Sequence, residues 1–437
     1  MAELRPKKEQ ATASRARPTA PRNLGHIRDI NRNIILRTIW KNREISRAEL
    51  SRRTHLTKTT VSSLVSELVE RNLVTELDEN GSSTAGIPGR RPIRLSIDPD
   101  AAFCMAVDLK ARETLVASYD LLVNSLGCRR LPRKSSEPEE VVRQIASAVE
   151  ELCREAGRGP DDVVAMGVSV PGKAEYDGGR IIWSPELGWY DVDMRELLGR
   201  CLATGTAVYL DCDAQLALRA ELWRGTNLRE TSTAVYVLVS ETVTSGLALT
   251  GKLYHGEAYA SGSFAHMQVD PTGPECACGG RGCWGSFVSV DRMLRQYFGR
   301  ESAYHDPAEA LGALRNACLA GEARALEALD EEAKWLALGL ANIFNAVDPE
   351  AIVVGGYVGL VWDVMQSSVT EQVRRRLAPI HGWQYREREP KRIVGSVLDP
   401  MNNLEGAALL AISTIIPVDL FQDLVVYNME RLEETLF

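Results

Sequence analysis

The stretch His266-Met-Gln-Val-Asp-Pro-Thr-Gly-Pro-Glu-Cys276-Ala-Cys278-Gly-Gly-Arg-Gly-Cys283 places three cysteines and one histidine within eighteen residues. Thiolate and imidazole together suit Zn²⁺, which takes four nitrogen or sulfur ligands in a closed tetrahedral site. Cys276 and Cys278 are too close in sequence to clamp an ion unless the loop turns sharply. Gly279, Gly280 and Gly282 are placed to supply positive φ for that turn. Four protein ligands leave no open position, so the expectation is one structural zinc per chain, held by His266, Cys276, Cys278 and Cys283. The other six cysteines are scattered without a pattern, which argues for reduced thiols and a cytoplasmic protein rather than a disulfide framework.

Outward from this loop, the 437 residues divide by charge. Residues 1–98 hold 19 Lys and Arg against 11 Asp and Glu; the remainder holds 32 against 48. A basic head on an acidic body points to a polyanionic partner for the head alone. No stretch has the roughly 18 consecutive apolar residues of a membrane span, and the N-terminus lacks the apolar core of a secretory signal. Residues 1–23 are rich in Pro, Ala and basic residues and read as a disordered arm.

Residues 24–98 read as a winged helix-turn-helix. Ile27, Ile30, Ile34, Ile35, Leu36 and Ile39 fall largely on one face of a first helix. Ser46-Arg-Ala-Glu49 reads as a capping box opening a second helix. After a turn at Thr54-His55-Leu56, Thr57 caps a third helix, with Val61, Leu64, Val65 and Leu68 inward. Its outer face offers Lys58, Thr59, Thr60, Ser62 and Ser63, short polar side chains and one cation suited to base edges and phosphates. With Thr57, these are the expected DNA contacts of a recognition helix. Strands at 73–76 and 92–97 flank a polar tip that ends in Gly89-Arg90-Arg91-Pro92, a wing bringing Arg90 and Arg91 to the duplex. Two-fold symmetry is expected, because a single half-site binds weakly: a homodimer, or a dimer of dimers, on a palindromic double-stranded operator.

From residue 99 to 413, apolar strands alternate with amphipathic helices, as in an α/β protein. Ala102–Asp108 and Thr114–Asp120 open one half; Ala234–Val239 and Gly246–Thr250 open a second. The repetition suggests a duplicated fold with a cleft between its halves. Residues 414–437 carry an apolar run and then an acidic end, and match no motif.

The head, through Ser46–Leu50, Leu56–Val61, Leu68–Val74 and Gly89–Pro92, resembles the winged helix-turn-helix of the ROK family of bacterial sugar-responsive repressors and sugar kinases. His55 stands where such turns commonly have glycine. The body resembles the family's two-lobed actin-like domain, a duplicated ribonuclease H-like fold, and the loop 266–283 is the most specific part of the match. The resemblance implies a sugar site in the cleft and, in kinases, an ATP site beside it. Kinases of this type carry Asp-x-Gly-Gly-Thr after the first strand; here Asp108-Leu-Lys-Ala-Arg-Glu-Thr114 puts Lys110 and Arg112 in the turn. The second phosphate loop reads Ser240-Glu-Thr-Val-Thr-Ser-Gly246, and Glu241 opposes a phosphate. Gly355 and Gly356 survive where the family has a nucleoside-contacting turn. No ATP binding and no catalytic residue are expected.

On the sugar side, Asp213 matches the family's general base. Glu186 replaces a sugar-contacting Asn, and Cys212 replaces another Asn. The family's Glu-x-Gly-His appears as Ser263-Phe-Ala-His266, and the glutamate usually found after the last cysteine is Gly285. The ligand-binding candidates are therefore Glu186, Asp213, Ser263 and His266. The expectation is a transcriptional regulator, a repressor of this type, controlled by a sugar or another metabolite. A sugar kinase with a DNA-binding head, and a ligand-independent regulator with a vestigial pocket, are the alternatives.

Overall fold

The computed structural model describes residues 24–77, 93–176, 178–203, 205–224, 228, 231–299, 306–381, 393–400 and 403–416. The N-terminal arm, the wing tip with Arg90 and Arg91, and residues 417–437 lie outside them. Two compact units divide near residue 96.

The head unit opens with α1 (Leu24–Asn42), followed by β1 (Ile45–Ser46), α2 (Arg47–Thr54) and α3 (Lys58–Glu70). β2 (Val74–Leu77) and β3 (Arg94–Ile97) complete a three-stranded sheet in the order β1-β3-β2. Its core is Ile35, Leu36, Ile39 and Trp40 of α1, Leu50 of α2, and the stripe Val61, Leu64, Val65 and Leu68 of α3. Ile27 and Ile30 are exposed, contrary to the helical-face reading, because the core residues of α1 all lie in its C-terminal half. The capping box is half formed. Ser46 Oγ accepts the Glu49 N–H at 3.2 Å, but the Glu49 carboxylate pairs with Arg52 and Arg53.

The body unit holds two sheets of the same design. In the first, β4 (Phe103–Leu109), β5 (Glu113–Asp120) and β6 (Ser125–Pro132) form an antiparallel meander. After α4 (Pro138–Glu155), β7 (Val163–Val170) adds parallel to β4. A small antiparallel sheet follows: β8 (Lys173–Glu175), β9 (Arg180–Ser184) and β10 (Trp189–Asp193). After α5 (Met194–Cys201), β11 (Ala207–Cys212) pairs parallel to β7 and runs into α6 (Asp213–Arg224).

The second sheet repeats this with β12 (Ala234–Val239), β13 (Val243–Leu249) and β14 (Lys252–Leu253) as the meander. The helices α7 (Val290–Phe298), α8 (Pro307–Leu319) and α9 (Ala323–Val347) follow. Then β15 (Ala351–Gly355) adds parallel to β12, and α10 (Trp362–His381) leads to β16 (Ile393–Gly395), parallel to β15. The strand orders β11-β7-β4-β5-β6 and β16-β15-β12-β13-β14 are the same path taken twice. The helices after the last strands are exchanged. α6 packs on the second sheet, and α11 (Leu404–Ile412) packs on the first. The approach is close enough to need glycine on each sheet: a Cβ on Gly167 would lie 1.9 Å from the Ala407 carbonyl, and one on Gly246 would lie 2.4 Å from that of Ala214. A cleft lies between the two lobes, with Gln215 of α6 among the residues lining it.

Candidate functional site

The recognition face is built from the third helix upward. Thr57 Oγ1 accepts the Thr60 N–H at 3.2 Å and shares a 2.9 Å hydrogen bond with Thr60 Oγ1, which satisfies one of the N–H groups left open at the helix N-terminus. The buried stripe turns Lys58, Thr59, Ser62 and Ser63 to the surface, and Thr60 is half-buried beside them. His55 takes the left-handed turn at φ 56°, the position at which glycine is more usual. Sequence reasoning missed Arg47. Its guanidinium donates to the Ser62 carbonyl at 3.2 Å and to Glu76 Oε1 at 2.6 Å, tying α3 to the wing strand β2. Those partners stand 15 and 29 residues away, so no local motif marks them.

The loop 266–283 closes on itself as its glycines require. His266 ends a short 3₁₀ turn, and the loop is pinned by Cys276 N to Gly280 O (2.9 Å) and Gly279 N to Cys276 O (2.9 Å). Gly279 and Gly282 have φ of 85° and 66°, whereas Gly280 is not in the positive-φ region. Gly282 is constrained further, because a Cβ there would overlap the Asp270 carbonyl. All four ligand atoms lie within 4.8 Å of one another, and the group could hold a metal ion. Cys276 Sγ is 3.6 Å from His266 Nδ1, and Cys278 Sγ is 3.7 Å from Cys283 Sγ. The next residue anchors the loop: Trp284 is fully buried, and its indole N–H donates to the Trp335 carbonyl at 2.8 Å.

The cleft brings the ligand candidates into two groups. Ser263 and His266 line a cavity of about 100 Å³, together with Lys173, Trp183, Asp211, Ser245 and His255. Ser263 Oγ is turned to the Ala260 carbonyl at 2.8 Å. Asp213 lies just behind this cavity, buried at the start of α6. Its Oδ1 accepts from Thr244 Oγ1 (2.7 Å), the Ala214 N–H (2.7 Å) and the Cys212 thiol (3.3 Å). Glu186 reaches across the cleft from the β9–β10 turn and accepts the Thr242 hydroxyl of the β12–β13 turn. Burial raises Asp213 to about 6 and Glu186 to about 7, because each carboxylate has been taken out of water. A pair that sequence reasoning missed sits at the cavity wall, where His255 Nε2 meets Asp211 Oδ2 at 2.9 Å.

At the turn after β4, Lys110 folds back within 3.7 Å of Asp108 Oδ2, with its ammonium 5.3 Å from the Tyr357 ring centre. Gly355 and Gly356 have packing reasons of their own. A Cβ on Gly355 would overlap the Tyr236 hydroxyl, and Gly356 sits at φ 78° against the Val239 carbonyl. No helix among the described residues is long and apolar enough to cross a membrane.

Comparison with known proteins agrees with this architecture. The pattern of the ROK family matches residues 104–414, and that of a winged helix-turn-helix DNA-binding domain matches residues 28–75. The xylose repressor of Bacillus subtilis is 27% identical over 357 residues, covering 80% of this chain and 89% of its own. The DNA-binding transcriptional repressor Mlc of Escherichia coli is 24% identical over 371 residues, covering 83% and 89%. Among solved structures, a ROK family transcriptional regulator described as a homologue of E. coli Mlc superimposes with a TM-score of 0.72, at 20% identity, over 91% of this chain and 98% of its own. The ROK hexokinase of Thermus thermophilus matches the body alone, with a TM-score of 0.56 at 25% identity over 72% of this chain and 99% of its own. The chain belongs to the ROK family, and its N-terminal unit is a winged helix-turn-helix DNA-binding domain.

Proposed function

We propose that this protein is a transcriptional repressor that binds a palindromic DNA operator as a homodimer and whose body responds to a small metabolite. The observation that carries the reading is the exposed Lys58–Ser63 face on a capped, well-packed α3. The two repressors named above, which align along most of this chain, support it. In the cell the protein works in the cytoplasm. Ligand binding to one arrangement of the two lobes shifts the population toward it, and with it the operator affinity.

The metal cluster is read as a structural zinc site. A tetrahedral ion with bonds of about 2.3 Å to sulfur and 2.0–2.1 Å to nitrogen sets S···S edges near 3.8 Å and S···N edges near 3.6 Å. One S···S separation of 3.7 Å and one S···N separation of 3.6 Å match these edges, and the four ligand atoms all lie within 4.8 Å of one another. When bound, the ion supplies no chemistry; it holds His266 rigidly in the cavity wall.

The kinase alternative is disfavoured by the turn after β4. A phosphate would meet Lys110 already drawn to Asp108, in a turn without the family's glycines, and Glu241 opposite. The reading is tested by selecting DNA from a random pool with the full-length protein and assaying ATP turnover with hexoses in parallel. An enriched palindrome without turnover is expected. No enrichment would sink the repressor reading, and turnover would revive the kinase. Operator affinity that no metabolite changes would favour the ligand-independent alternative.

A further inference from the structure

The two lobes of the body also meet away from the cavity of His255 and His266. Ala111 and Arg112, in the turn after β4 of the first lobe, line one hollow together with Glu241 and Tyr357 of the second. Lys110 is the side chain that spans the gap. Its ammonium stands 3.7 Å from Asp108 Oδ2 on its own lobe and 5.3 Å from the centre of the Tyr357 ring on the other. Both partners are held firmly. Asp108 is buried, and its Oδ2 also accepts the Asn403 N–H at 3.1 Å, just before α11. Tyr357 belongs to the core of the second lobe. The preceding Gly356, at φ 78° and too close to the Val239 carbonyl for a Cβ, makes the turn that delivers it. On the first lobe, the Lys110 N–H donates to the Glu113 carbonyl at 3.0 Å and closes the turn that carries the lysine.

The charges around the ammonium come from both lobes. Burial opposes its charge, but the fields of Asp108, Tyr357, Glu241 and Glu113 outweigh that and raise its proton affinity. A cation over an aromatic face is attracted by the ring quadrupole, and more strongly where water is kept away. The Lys110 side chain is 18% exposed, so much of its water has been removed. A second contact crosses between the lobes one residue from Glu241, where the Thr242 hydroxyl donates to Glu186. Both contacts are made by the chain alone.

We propose that Lys110 is an internal latch, a cation on the first lobe seated against Tyr357 of the second, which together with Glu186 and Thr242 holds the lobes to each other without a bound nucleotide. A lobe movement that leaves the latch closed must pivot there, and one that opens this part of the cleft must break it. The latch is a property of the body and stands or falls separately from DNA binding by the head.

The test is hydrogen–deuterium exchange of the full-length protein, read peptide by peptide. Lys110→Met keeps the aliphatic stem and removes the charge. Exchange faster by about 5-fold or more is expected in both lobes, at residues 109–115 of the first and at 240–244 and 357–361 of the second. Lys110→Arg, which can also sit on a ring, should exchange nearly as the wild type does. Tyr357→Leu should loosen the same segments, and adding Lys110→Met to it should change them little further, because both substitutions remove one contact. Melting curves establish that each variant is folded, and Lys110→Gln takes the place of Lys110→Met if that variant is not. Faster exchange confined to residues 109–115 would make Lys110 a support of its own turn and overturn the latch. Unchanged exchange throughout, or fully additive effects in the double variant, would overturn it equally.

Discussion

Thr244 Oγ1 donates to Asp213 Oδ1 at 2.7 Å, tying the start of α6 to β13 of the second sheet, on which that helix packs. The Thr242 hydroxyl donates likewise to Glu186, and that contact joins the two lobes. Thr244→Val keeps the shape and removes one donor from a buried carboxylate. A loss of about 1–3 kcal/mol in urea unfolding of the body is expected. Stability unchanged within error would mean that the contact contributes nothing.

Cys278→Ser should lose about one equivalent of zinc per chain and lower the melting temperature, because a three-ligand site no longer closes the loop. Metal content by elemental analysis is the deciding measurement. A variant that still retains one zinc would remove Cys278 from the ligand set.

Operator binding should follow the salt law for phosphate contacts. Lys58→Ala should lower the slope of log affinity against log salt by about one, and Arg90→Ala with Arg91→Ala by about two. Arg47→Ala should weaken affinity with little change in slope, since its guanidinium is spent on Ser62 and Glu76. A slope that the wing double variant leaves unchanged would take the wing out of the interface.

What the chain discloses locally and what it hides follow from distance along the sequence. The metal ligands fall in eighteen residues, so their chemistry is visible at once. The strands β4, β7, β12 and β15 are nearly continuous apolar runs, and each was readable. The three-stranded sheet β8–β10 was not, because strands of three to five residues with mixed polarity carry no clear period. Asp211 and His255 are 44 residues apart, and Glu186 and Thr242 are 56 apart, so only the fold joins them.

A last prediction concerns Glu332, buried in α9 at 2% exposure with Oε1 lacking a hydrogen-bond partner among the described residues. Burial raises its proton affinity to about 8, only partly offset by Arg292 and the Ser289 N–H. A raised carboxyl keeps its proton when folded but loses it near the ordinary glutamate range when unfolded. The stability this confers is therefore complete below about pH 4.3 and is lost as pH rises through 8. Glu332→Gln cannot ionise, so its melting temperature should gain on the wild type as pH goes from 5.5 to 8.5. Taking the difference between the two proteins cancels groups that titrate alike in both, including the metal ligands. A gap that stays constant across that range would show that Glu332 does not change protonation on unfolding.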